Sequence, residues 1–281
     1  MPAWAPYSPC AVRCLGTDEE RISVPAAVLR LVAVVGVLFA ALLLAVFYPL
    51  LPADRRADVV RGWCRILLWT LDIRVAVDSP ARAPAGALVV ANHISWLDVI
   101  VLGAVRPGRM VARADLREWP LIGTVAARAG TIFIDRQRLS TLPGTVADVR
   151  SALRSGARVL AFPEGTTWCG AASGRFRPAL FQAAIDAGAP VEPVTLRYRI
   201  GDRLSTAPAF VGDDPLVTSI WRVVRARALV ADVRCHAELP PTGGRRMLAT
   251  AASTLVSGVD RPGVHGRVGV HVVQVLDGHP A

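Results

Sequence analysis

The sequence predicts an α/β domain with a mainly parallel sheet flanked by helices, preceded by an N-terminal membrane-inserted helix and an amphipathic helix. Three observations carry this prediction. From Asp72 onward, short apolar runs alternate with longer helix-like segments, the pattern of strands joined by crossover helices. Upstream, residues 31–53 (LVAVVGVLFAALLLAVFYPLLPA) hold no charged residue. About 20 helical residues cover roughly 30 Å, the thickness of a bilayer core. Finally, hydrophobic residues make up 53% of the chain and mean hydropathy is +0.42, high for a freely soluble protein.

Taken in chain order, residues 1–22 are polar, proline-containing and unpatterned, and read as a flexible tail. Residues 23–71 read as a membrane-associated helical segment. The apolar run has no small-residue cleavage site followed by a secreted-style sequence, so it is not read as a signal peptide. Pro49 and Pro52 close it. In residues 54–71, Arg55, Arg56, Arg61 and Arg65 alternate with Val59, Val60, Trp63, Ile66, Leu67, Leu68 and Trp69. Arginines beside tryptophans suit a helix in the headgroup region, although a surface helix packed on the soluble domain has the same pattern. Three arginines before the apolar run and four after it are too even to orient it.

The alternation of apolar runs with helix-like segments places the α/β domain at residues 72–240. Strands are expected at 73–77, 87–91, 110–112, 131–134, 158–162, 191–196 and 230–236. Helices are expected at 95–105, 118–128, 142–155, 178–187, 215–226 and 245–257. Residues 241–281 form a C-terminal helix and tail, in which His265, His271 and His279 read as incidental.

Net charge is +10, and all 32 basic residues are arginine. Without lysine, a lysine nucleophile or Schiff base is excluded. A basic protein seeks polyanions. The arginines are scattered, with no RNP, zinc-finger or helix-turn-helix pattern, so the expected partner is the membrane bilayer and not nucleic acid. The five cysteines form no CxxC pair, and Cys10 and Cys14 have no matching His or Cys cluster in the sequence, so no metal is expected. Their wide spacing suggests no disulfide framework and fits a reduced, cytoplasm-facing domain.

Three segments carry chemistry. Residues 92–98 (NHISWLD) follow an apolar run that reads as a buried strand and open an apolar helix. With His93 in the turn and Asp98 in the first helical turn, the carboxylate can fold back onto the imidazole, the geometry of a base and its orienting group. Ser95 to Asp98 also fits a capping box, which would leave His93 an ordinary turn histidine. Residues 130–136 (GTIFIDR) form an apolar strand ending in Arg136, whose planar fork could hold a phosphate, or which could be half of a surface pair with Asp135. Residues 162–168 (FPEGTTW) follow another apolar strand and bring Glu164, Gly165, Thr166 and Thr167 to its end. Glycine there lets backbone amides approach a ligand anion, and Arg175 and Arg177 just before the next helix could form an anion clamp. A Gly-rich surface loop is the alternative. No G-x-S-x-G elbow is present.

Together with residues 190–194 (PVEPV), these segments resemble, in order and spacing, the four blocks of the glycerolipid acyltransferase family, whose best-known members are 1-acylglycerol-3-phosphate acyltransferases. Residues 92–98 look like its N-H-x-x-x-x-D block, 130–136 like G-x-x-F-I-D-R and 162–166 like F-P-E-G-T, with Phe176-Arg177 similar to the F-K/R element that follows. The resemblance implies transfer of an acyl chain from acyl-CoA or acyl carrier protein to a lysolipid hydroxyl, with 1-acylglycerol-3-phosphate as acceptor and phosphatidic acid as product. His93 would be the general base and Asp98 its orienting partner. Asn92, Arg136, Glu164, Gly165, Thr166, Thr167 and Arg177 would bind substrate, with Arg136 on the acceptor phosphate. No metal or organic cofactor is implied. The third block commonly reads E-G-T-R, and here Thr167 stands in the arginine position. Lyso-ornithine lipid or another lysophospholipid therefore stands as an alternative acceptor. An acyl thioesterase and a non-catalytic membrane-anchored binding protein are further alternatives. Because acyl thioesters are made in the cytoplasm, the implied location is the cell membrane, with the active site on its cytoplasmic face.

Overall fold

The computed structural model describes residues 6–16, 20–79, 85–120, 122–135, 138–258 and 271–273. A single 3-10 turn, Val12–Cys14, precedes the helices α1 (Val24–Ala45) and α2 (Ala53–Thr70). The domain follows as β1 (Arg74–Asp78), β2 (Leu88–Ala91), α3 (Leu97–Val105), β3 (Arg109–Arg113), α4 (Ile122–Arg128), β4 (Ile132–Ile134), α5 (Leu142–Arg154), β5 (Val159–Ala161) and α6 (Ala179–Ala187). Then come β6 (Val191–Ile200), β7 (Arg203–Leu204), α7 (Leu216–Arg225), β8 (Leu229–Cys235), α8 (Arg245–Ser257) and β9 (His271–Val273).

The strand order is β4-β3-β5-β2-β6-β8-β1-β9, with β7 paired to β6. Strands β4, β3, β5, β2 and β6 run parallel, as do β1 and β8; the β6–β8, β6–β7 and β1–β9 pairs are antiparallel. The central strands β2 (LVVA) and β5 (VLA) are buried at every position, as unbroken apolar runs in a doubly covered parallel sheet must be. Side chains alternate between the faces. Val89 and Ala91 join a core with Leu97 and Val101 of α3, Val224 of α7 and Leu68 of α2. Leu88 and Val90 join the opposite core with Val149 of α5, Phe181 of α6 and Ala252 of α8.

Three expectations need correction. The described part of the tail expected at residues 1–22 is a bound strap: Gly16 N–H donates to Thr206 Oγ1 (2.7 Å), Ile22 N–H to the Arg225 carbonyl (3.0 Å), and Cys10 is buried. Bonds to a threonine hydroxyl and to a helix end need no periodicity, so such a strap leaves no sequence pattern. The helix expected at 118–128 divides into a 3-10 segment, Ala114–Glu118, and α4, with Pro120 between them. The helix expected beyond residue 240 is α8, which joins the core beside β6 and α6, and β9 pairs with β1. Strand β6 runs on to Ile200 and turns into β7, a short hairpin that carries no apolar run to announce it. His265 and His279 lie outside the described residues, whereas His271 opens β9.

Candidate active site

His93 lies in the turn between β2 and α3, and Glu164 in the turn after β5, at the carboxyl ends of two adjacent parallel strands. Ligands in open α/β sheets bind at that edge. The segment between β2 and α3 is not helical, which lets Asp98, in the first turn of α3, fold back on residues 93–95.

Asp98 is fully buried and takes part in four hydrogen bonds. Its Oδ2 lies 2.8 Å from His93 Nδ1 and accepts the backbone N–H of Ile94 (2.6 Å) and Ser95 (2.8 Å); its Oδ1 accepts the Tyr198 hydroxyl (2.7 Å). Three donors already point at this carboxylate, so His93 Nδ1 is best satisfied as a fourth N–H donor, leaving Nε2 as the ring's acceptor. The capping interaction and the histidine contact therefore coexist in one side chain. The imidazole is stacked on the Phe162 ring at 4.0 Å and 11°, and keeps 19% of its side-chain surface exposed.

Glu164 holds the two strand-end loops together. Its Oε2 accepts His93 N–H (2.6 Å) and its Oε1 accepts Gly174 N–H (2.7 Å). Burial pushes its carboxyl up to about 8, against the pull of those two N–H donors and with a further upward contribution from the Asp98 charge. Trp168 N–H returns a bond to the His93 carbonyl (2.7 Å), so the His93 peptide is gripped from both sides.

Gly165 has φ +80, and a Cβ there would come within 3.0 Å of Pro6 and 3.5 Å of Arg177 Nε, so both conformation and space require glycine. Its N–H is engaged by the Phe162 carbonyl (3.1 Å). Thr166 is half-buried beside it. The Thr167 hydroxyl donates to the Phe210 carbonyl. Arg177 is exposed on the same loop system, its N–H bonded to the Pro163 carbonyl (2.9 Å). Asn92 works inside the sheet: its side chain bonds both the N–H (2.8 Å) and the carbonyl (3.0 Å) of Leu196 in β6. Arg136 lies outside the described residues; β4, which precedes it, ends at Ile134.

Sequence reasoning missed Tyr198, Phe162 and Trp168 as parts of this assembly. Tyr198 had a legible signal: it falls in step with Val194 and Leu196 on a core-facing side of β6, and a buried tyrosine needs a partner for its hydroxyl. Burial, then the Asp98 charge and hydrogen bond, hold its phenol well above the ordinary range, so it remains a donor. Sequence reasoning also found no partner cluster for Cys10 and Cys14, yet Cys169 meets both. A cavity of about 370 Å³ between α5 and α6, lined by Val146, Arg150, Gln182 and Asp186 among others, shares no residue with this site.

Residues 72–197 match the sequence profile of a family described as Acyltransferase. The chain is 38% identical over 187 residues to the 1-acyl-sn-glycerol-3-phosphate acyltransferase of Neisseria meningitidis serogroup B, covering 66% of this chain and 73% of that protein. It is 34% identical over 206 residues to the lyso-ornithine lipid O-acyltransferase of Pseudomonas aeruginosa, covering 72% and 78%. Among solved structures, the 1-acyl-sn-glycerophosphate (LPA) acyltransferase PlsC of Thermotoga maritima matches with a TM-score of 0.59 at 18% identity, over 83% of this chain and 95% of that one, a likeness of fold.

Proposed function

The chain belongs to the glycerolipid acyltransferase family, and from that premise we propose that it acylates the free hydroxyl of 1-acylglycerol-3-phosphate from acyl-CoA or acyl carrier protein, with His93 and Asp98 as the general-base dyad. The observation that carries this reading is the His93 imidazole itself: Nδ1 is tied to a buried carboxylate, and the side chain keeps 19% of its surface exposed.

The chemistry follows from that arrangement. His93 Nε2 takes the proton of the acceptor hydroxyl as its oxygen attacks the thioester carbonyl carbon. The tetrahedral intermediate collapses by breaking the carbon–sulfur bond, and the departing thiolate recovers the proton from His93. Asp98 orients the ring and stabilises its transient positive charge. Glu164 and Trp168 hold the His93 peptide, so their part is positioning. The N–H groups of Gly165 and Trp168 and the Thr167 hydroxyl are engaged internally, and in this reading substrate binding falls to Thr166, Arg177 and Arg136.

A specific observation favours a second acceptor. Thr167 replaces the arginine common at this position in the family, and its hydroxyl is bound to the Phe210 carbonyl. A site lacking that charged fork suits a head group without a phosphate monoester, such as lyso-ornithine lipid. The test is acyl transfer from labelled acyl-CoA by membranes containing the protein. Lysophosphatidic acid, lyso-ornithine lipid and lysophosphatidylcholine are offered side by side. Product from lysophosphatidic acid, reduced about 100-fold or more by His93→Ala, is the expected result. Preference for lyso-ornithine lipid moves the assignment to the second acceptor, and an unchanged rate in His93→Ala overturns the dyad.

The same reading places the site at the cytoplasmic face of the cell membrane. Helix α1 exposes Leu29, Val32, Val35, Leu38, Phe39, Leu43 and Leu44, and only 6% of its most apolar window is buried. Arg30, near its start, reaches Asp72 just beyond the end of α2 (3.0 Å). The two helices thus form an antiparallel pair that returns to the domain. Its far end carries exposed Val46, Phe47 and Leu50, a geometry suited to dipping into one leaflet.

A further inference from the structure

The strap and the loop after β5 meet at sulfur. Cys14 closes the 3-10 turn Val12–Cys14, whose Cys14 N–H bonds the Ala11 carbonyl (2.8 Å), and this turn brings Cys14 back beside Cys10. Cys169 follows Trp168, the residue that grips the His93 carbonyl, and its N–H donates to Cys10 Sγ (3.4 Å). The Sγ atoms of Cys10, Cys14 and Cys169 all lie within 4.8 Å of one another. All three are free thiols; Cys10 and Cys169 are buried, whereas Cys14 is half-exposed.

We infer that Cys10, Cys14 and Cys169 form a three-thiolate site for a soft metal cation of the Zn2+ class. The donor set is the argument. Three sulfurs with no carboxylate among them select soft or borderline cations over Mg2+ or Ca2+. Zn–S bonds near 2.3 Å in tetrahedral geometry set the sulfurs about 3.8 Å apart, so the observed cluster needs to close by no more than about 1 Å. Half-exposed Cys14 provides the entry side, and the fourth position is left for water or a small exogenous ligand. The Cys169 N–H on Cys10 Sγ is the kind of hydrogen bond that orients a metal-binding thiolate. The surroundings are also close-fitting: a Cβ on Gly165 would press on Pro6, and one on Gly212 would press on Ala11, so the strap already lies against the loops it would be clipped to. A bound cation would fasten residues 10–14 to the segment that supports His93.

The test uses the full chain in detergent, reduced and stripped of metal by a chelator, then titrated with Co2+ as a spectroscopic stand-in for Zn2+. The expected result is a thiolate-to-cobalt charge-transfer band that saturates at one equivalent and is discharged by Zn2+. It should be lost in Cys14→Ser and Cys169→Ser and retained in Cys64→Ser and Cys235→Ser, with folding checked by circular dichroism. Cys14→Ser, at a half-exposed position, keeps the test decisive should Cys169→Ser fail to fold. Absence of the band in the wild-type chain overturns the site, as does its persistence in Cys14→Ser. Isolation of the unreduced protein with two of these thiols joined as a disulfide that blocks Co2+ also overturns it, in favour of a redox pair.

Discussion

At the scale of single residues, the candidate site is a hydrogen-bond network around two buried carboxyl groups, those of Asp98 and Glu164. Asp98 Oδ1 depends on Tyr198, so Tyr198→Phe keeps the ring packing and removes one donor from a buried charge. The expected cost is about 1–3 kcal/mol of stability, read by urea unfolding, with kcat falling while KM for the acceptor stays constant. A larger effect on KM would contradict a positioning role. Glu164 behaves differently, because its folded-state carboxyl sits near 8, raised first by burial, against an ordinary value of 4.5. Folding therefore favours the protonated form. The stabilisation associated with that form is complete below about 4.5 and is lost as pH rises through about 8. In thermal melts, the stability of the wild type relative to Glu164→Gln is expected to decline across that interval; a difference independent of pH would refute it. His93, Asp98 and Glu164 could all be picked from the sequence because each lies in a short motif that directly follows an apolar strand. The partners of Tyr198 and Trp168 could not be read there, since they lie about 100 and 75 residues away in the chain, and only the β2–β6 and β2–β5 neighbour relations bring them together.

At the scale of elements, the attachment of the helical pair is the informative feature. Arg30 is nearly buried; besides Asp72 it donates to the carbonyls of Val224 (3.0 Å) and Ala226 (3.1 Å) at the end of α7. Those carbonyls are the groups a helix leaves unsatisfied at its C-terminus. Asp72 is largely exposed, so its ion pair contributes little. Asp72→Asn, which also tolerates the positive φ at this position, is expected to cost less than about 1 kcal/mol. Arg30→Met should cost about 1–3 kcal/mol, because it strands two carbonyls. Equal losses in the two variants by denaturant unfolding would show that the ion pair, and not the cap, does the anchoring. The contact between α2 and α3 is close enough that a Cβ on Gly103 would fall 2.6 Å from Cys64 Sγ. The sequence announced α1 by its uncharged apolar run and α2 by its amphipathic pattern. It did not announce that α1 and α2 fold back on each other, because that depends on Arg30 finding α7.

At the scale of the whole molecule, the apolar end of the helical pair and the candidate-site edge of the sheet belong to one chain of the glycerolipid acyltransferase family. Replacing Phe47 and Leu50 by glutamate puts two charges on the most exposed apolar end. Sedimentation with anionic vesicles is expected to fall at least tenfold, while turnover of a soluble short-chain acceptor is unchanged. Undiminished vesicle binding would remove this end from the membrane interface.

The sequence by itself determined the α/β class, the apolar helix, the family and the identity of the His93–Asp98 pair. Strand burial, helix hydrophobicity and short motifs are local properties, written within a few residues of each other. Tertiary structure alone decided that the strap is bound, that Glu164 grips the His93 peptide, that Tyr198 supports Asp98 and that three distant cysteines share one corner. Each of these is a contact between segments far apart in the chain, and the order of strands across the sheet, not any local pattern, determines which segments become neighbours.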